Sequence, residues 1–69
     1  MTRVLVVEDE PAIRRFLRIA LAGDGAGVTE AGTVSGGLAE ASAARPDLVI
    51  LDLGLPDADG IDFIRALRD

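Results

Sequence analysis

Glu8, Asp9 and Asp52 are the residues of this chain best placed to do chemistry, because they follow directly on short apolar runs. Val4-Leu5-Val6-Val7 leads into Glu8-Asp9-Glu10, and Leu48-Val49-Ile50-Leu51 leads into Asp52. Runs of that length suit fully buried strands of a parallel sheet, whose carboxyl ends open onto the crevice where ligands bind. Carboxylates gathered at one such mouth repel one another and raise each other's proton affinity unless a cation sits among them. The pattern therefore points to a divalent metal site with one carboxylate to spare. Mg²⁺ fits the donors, since it takes one or two carboxylates with water and a phosphate in near-octahedral geometry. Gly54 lets the loop after the second run come close enough for its backbone carbonyl to join as a ligand. A carboxylate beside such an ion can attack phosphorus, because the cation neutralises charge on the nucleophile and on the phosphoryl oxygens. Asp52 is the expected nucleophile, since it stands at a strand end and the glycine-containing loop after it leaves room for in-line approach.

The elements that must position these acids can be read along the chain. Residues 3 to 8 form the expected first strand, and Pro11 stands where a helix can begin, its missing N–H costing nothing in the first turn. Ile13, Phe16, Leu17, Ala20 and Leu21 then recur at three- and four-residue steps, with Arg14, Arg15 and Arg18 opposite them, which predicts an amphipathic helix ended by Gly23. After the turn at residues 24 to 27, Val28 to Ala31 is the expected second strand. Thr33 is placed to cap a second helix reaching about Ala44, weakened by Gly36 and Gly37 and so dependent on the packing of Leu38 and Ala41. Arg45-Pro46-Asp47 breaks that helix ahead of the strand Leu48 to Asp52. A third helix is expected from about Gly60, with Ile61, Ile64 and Leu67 on its inner face. Strands alternating with helices in βαβαβα order imply an α/β fold with a parallel sheet and right-handed crossovers.

Composition narrows the chemistry further. A chain of 69 residues is one domain at most, and one this short hides only about 60% of the surface its unfolded form exposes. It has no Cys and no His, which excludes disulfides, thiolate metal sites and the usual zinc constellations. The net charge of −5 argues against its holding nucleic acid by its own field. Its apolar stretches are too short to span a bilayer, and its first residues lack a signal peptide's pattern, so a cytoplasmic protein without a membrane partner is expected. All seven basic residues are Arg, so chemistry that needs a lysine ammonium is closed to it. A dinucleotide site would need a Gly-x-Gly-x-x-Gly turn where Glu8-Asp9-Glu10-Pro11 stands, and a Walker loop would need a Lys. A haloacid-dehalogenase-type phosphatase would want a second Asp where Gly54 stands.

The run Val6-Val7-Glu8-Asp9-Glu10, Asp52 after Leu48 to Leu51, and the loop Asp52-Leu53-Gly54-Leu55-Pro56-Asp57-Ala58-Asp59-Gly60 together resemble the receiver domain of bacterial two-component response regulators. The likeness covers the whole chain. Residues 6 to 18 and 52 to 57 look most like the Kdp-type, winged-helix regulators of potassium-transport genes. The resemblance implies a partial flavodoxin-like fold, with strand order 2-1-3 and without the last two strands and their helices. It implies that Asp52 is the phospho-acceptor, Asp9 a direct Mg²⁺ ligand, Glu8 a ligand through water, and Gly54 a ligand through its carbonyl, while Pro56 and Gly60 shape the loop. It also implies a sensor histidine kinase as partner, meeting the helix that carries Arg14, Arg15 and Arg18, and DNA contact only through a domain absent from residues 1 to 69. Leu55 stands where many members have Met, and the family's Ser or Thr and Lys that grip the phosphoryl oxygens have no counterpart in this stretch.

Plainer roles compete at several of these positions. Glu10 suits a helix amino terminus, Asp57 and Asp59 suit a turn and a cap, and Gly54 and Gly60 could serve backbone conformation alone. The three arginines are most simply a solvated helix face. Two functional readings follow. In one, the chain is the phospho-accepting segment of a transcription regulator, a reactant in its own phosphotransfer and not an enzyme. In the other, it is an inactive fragment that self-associates as a homodimer or larger assembly through an unpaired third strand.

Overall fold

A computed structural model describes residues 1–51 and 64–66. Three strands, β1 (Arg3–Val7), β2 (Gly27–Ala31) and β3 (Leu48–Leu51), alternate with two helices, α1 (Pro11–Gly23) and α2 (Val34–Ala44). The sheet has the order β2-β1-β3, and both pairings are parallel. Val4 faces Val28 and Leu48 across the two ladders, and Val7 faces Ala31 and Leu51. A central strand of a parallel sheet is covered on both faces, which is why β1 is apolar at every position from Val4 to Val7, all of them at most 2% exposed.

The core lies on the α2 face of the sheet. Leu5 and Val7 pack with Ala31 and Val34, flanked by Leu38, Ala41, Val49 and Leu51. Burying a side chain of this size contributes about 1.5–3 kcal/mol. Thr33 caps α2 as its sequence position predicts, its Oγ1 accepting from the Gly36 N–H at 3.0 Å. The helix ends at Arg45, which takes a left-handed φ of 48° while its N–H donates to the Ala41 carbonyl. Pro46 follows, and a proline disfavours the right-handed helical region for the residue before it. Helix α1 has Pro11 at its first position. Gly23 is its last residue, and the left-handed turn that redirects the chain falls on Gly25, at φ 86°.

Two expectations need correction. On α1 the half-buried residues are Arg14, Leu17 and Leu21, whereas Ile13, Phe16 and Ala20 are exposed, Phe16 by 68%. The helix is therefore rotated so that an arginine, not an isoleucine, continues the inward stripe of Leu17 and Leu21. On that side Arg14 meets Glu30 of β2. Residues 64–66 are helical as expected, but Ile64 is 40% exposed and not on an inner face. Gly60, Ile61 and Leu67 lie outside the described residues.

Candidate functional site

The loop from β1 to α1 carries the first two candidate ligands, and three hydrogen bonds fix it. The Glu8 N–H donates to the Ala31 carbonyl at 2.9 Å, carrying the β1–β2 pairing one residue beyond the strand. The Glu8 carboxylate turns back over its own loop, Oε1 accepting from the Glu10 N–H at 3.1 Å. The Glu8 carbonyl accepts from the Arg14 guanidinium at 3.2 Å. Glu8 is half-buried, and Asp9 and Glu10 are exposed. Glu10 takes the helix-start role weighed for it, its carbonyl accepting from the Arg14 N–H at 3.0 Å, although its side chain makes no capping bond.

Leu51, the last residue of β3, stands in register with Val7, the last of β1. Asp52, Gly54, Pro56, Asp57, Asp59 and Gly60 lie outside the described residues. Among the described residues no group of three or more His, Cys, Asp or Glu side chains could hold a metal ion. The donors that are described, the carboxylates of Glu8 and Asp9 at the carboxyl end of the central strand, are hard oxygens of the kind Mg²⁺ takes. They fit such an ion as part of a set, and they do not form a complete shell by themselves. A shallow cleft of about 270 Å³ lies at the opposite end of the strands, lined by residues including Met1, Arg3, Gly27 and Pro46, away from the acids.

Arg14 is the polar residue that a reading of the helix as a plain amphipath misses. Its Nε lies 3.8 Å from Glu30 Oε1, and Arg18 approaches Glu30 Oε2 at 3.6 Å. Pairs this exposed contribute little to stability, typically less than about 1 kcal/mol, so their value is in placement. Only part of the signal lies in the sequence. Arg14 is three residues before Leu17 and seven before Leu21, in phase with the half-buried stripe, and Glu30 is the penultimate residue of the neighbouring strand.

Residues 4–69 match the sequence profile of the response regulator receiver domain. The chain is 69% identical over 68 residues to the KDP operon transcriptional regulatory protein KdpE of Escherichia coli, a match that covers 99% of the chain and 30% of the relative. The chain thus spans under a third of that protein's length. In three dimensions it resembles the chemotaxis response regulator CheY4 of Vibrio cholerae, with a TM-score of 0.95 and 35% identity over 99% of the chain and 57% of the other. It also resembles the response regulator TrrA of Thermotoga maritima, solved with Mg²⁺ and BeF, with a TM-score of 0.92 and 35% identity over 99% of the chain and 59% of TrrA. TrrA has further been solved in complex with the histidine kinase ThkA. The expected likeness to receivers, its Kdp-type leaning and the strand order 2-1-3 are all met. No helix among the described residues is long and apolar enough to cross a membrane.

Proposed function

The chain belongs to the response regulator receiver domain family, and from that premise we propose that it is the phospho-accepting segment of a transcription regulator, taking a phosphoryl group onto Asp52 from a histidine kinase in the cytoplasm. The observation that carries this reading is the register of Val7 with Leu51, because the residues that follow them in sequence are Glu8 and Asp52. Asp9, the Gly54 carbonyl, Asp52 and, through water, Glu8 are the groups that would hold Mg²⁺. When bound, that ion offsets the negative charge between carboxylate and phosphoryl group. An Asp52 carboxylate oxygen attacks phosphorus in line, a P–O bond forms as the P–N bond to the kinase histidine breaks, and the imidazole leaves and takes up a proton. The product is an acyl phosphate on the protein, so Asp52 is a reactant and not a turnover catalyst.

In support, TrrA has been solved both with Mg²⁺ and BeF and with a histidine kinase, and KdpE is a transcriptional regulator; contact with DNA is assigned to a part of the protein outside residues 1 to 69. The test is incubation with radiolabelled acetyl phosphate and Mg²⁺. Label that is released by hydroxylamine and absent from Asp52→Asn supports the reading, and undiminished labelling of the variant refutes it.

A second reading, self-association, is favoured by the exposure of Phe16 by 68%, Ile19 by 58% and Leu48 by 52%. Sedimentation equilibrium tests it, with a homodimer expected and a monomer at high concentration contradicting it.

A further inference from the structure

We propose that Arg14 is a positioning residue for the metal-holding loop, setting the peptide that carries Asp9 through its hydrogen bond to the Glu8 carbonyl; the inference rests on the Mg²⁺ site of the proposed function. A peptide unit is planar, so an anchored Glu8 oxygen also fixes the N–H and Cα of Asp9. The other end of Glu8 is already held by the bond from its N–H to Ala31. Arg14 therefore adds an anchor at the point where the strand hands over to the acidic loop.

Two features prepare the guanidinium for this contact. Glu30 on β2 engages Nε while NH1 reaches Glu8. Gly32, one residue beyond β2, leaves the space in which NH1 lies: a Cβ there would be 2.7 Å from Arg14 NH1 and 4.0 Å from the Glu8 carbonyl oxygen. A methyl group at position 32 must thus push the guanidinium aside, and it meets only the far end of a flexible side chain, leaving the backbone in ordinary contact.

The sign of the effect separates positioning from charge. An arginine near a cation site opposes the cation by simple electrostatics, so neutralising it should tighten metal binding. A residue that orients a ligand does the reverse, and partners of ligands typically cost 10–100-fold in metal affinity when lost.

The test is Mn²⁺ titration of the protein by electron paramagnetic resonance, with ¹⁵N relaxation of the metal-free protein alongside. Arg14→Met and Gly32→Ala are each expected to weaken Mn²⁺ by about tenfold, the lower end of that range. In both, the Asp9 amide should gain millisecond exchange broadening before any metal is added. Arg15→Met, which removes the same charge from an exposed site on the same helix, should leave both readouts at their wild-type values. Gly32→Ala keeps the charge of Arg14 and decides the matter should Arg14→Met fail to fold. Unchanged or tighter binding in Gly32→Ala overturns the inference. Asp9→Asn separates the levels. If it loses Mn²⁺ while Gly32→Ala keeps it, the Arg14 inference alone fails; if it binds like wild type, the metal site fails and takes the inference with it.

Discussion

Replacing Asp52 with Asn should make the metal-free protein more stable, because a site built to hold a cation stores repulsion when the cation is absent. The ends of β1 and β3 are in register at Val7 and Leu51, and adjacent strands lie about 4.8 Å apart. Two unit charges about 5 Å apart interact by about 3 kcal/mol at an effective dielectric constant of about 20, and by about 1 kcal/mol in water. The residue after Val7 is Glu8, only half-buried, and Asp9 beyond it is exposed, so the lower figure applies, and Asp52→Asn should gain about 1 kcal/mol. For a domain of this size that raises Tm by about 4–8 °C. Mg²⁺ at ten times its Kd should stabilise the wild type by about 1.4 kcal/mol and the variant by much less, closing the gap between them. Far-UV circular dichroism in EDTA and in Mg²⁺ is the assay, since the chain has neither Trp nor Tyr. A variant no more stable than wild type in EDTA, or Mg²⁺ protection equal in both, would mean that Asp52 shares no cation site with Asp9.

Further outcomes follow from the packing. Leu5→Ala should cost about 2–5 kcal/mol, a large share of the ~3–10 kcal/mol available to a 69-residue chain, and should move the urea midpoint accordingly. Thr33→Ala should cost about 1 kcal/mol through loss of the bond from the Gly36 N–H, and Thr33→Ser should recover most of it. Phe16→Ser should change stability by no more than about 0.5 kcal/mol while Leu17→Ser costs about 1 kcal/mol or more, because only Leu17 is on the inward stripe of α1.

The strands were the most legible part of this chain. Four consecutive apolar residues bounded by polar ones leave few options, and both β1 and β3 follow the runs that announce them. The Thr33 cap was equally plain, since a hydroxyl ahead of a small-residue segment has one obvious donor to meet. The orientation of α1 was not. Ile13, Phe16, Leu17, Ile19, Ala20 and Leu21 share one broad apolar face, and only its Leu17 and Leu21 edge is turned inward, which periodicity alone does not show. An arginine can lay its apolar stem inward while its head meets a carboxylate, as Arg14 does beside Glu30. Half of the candidate site was legible in the same way as the strands, because Glu8 and Asp9 simply follow β1. What holds them was not, since the bond from Arg14 to the Glu8 carbonyl depends on the gap at Gly32 and on a neighbour sixteen residues further along the chain at Glu30.

If the acids after β1 and β3 share one divalent ion, amide spectra recorded during substoichiometric Mn²⁺ addition will report it at both positions. The Asp9 and Asp52 resonances should broaden together along one saturation curve, and Asp9→Asn should abolish the broadening at Asp52 as well. Broadening confined to one of the two positions, or an Asp52 resonance that still broadens in Asp9→Asn as in wild type, would contradict it.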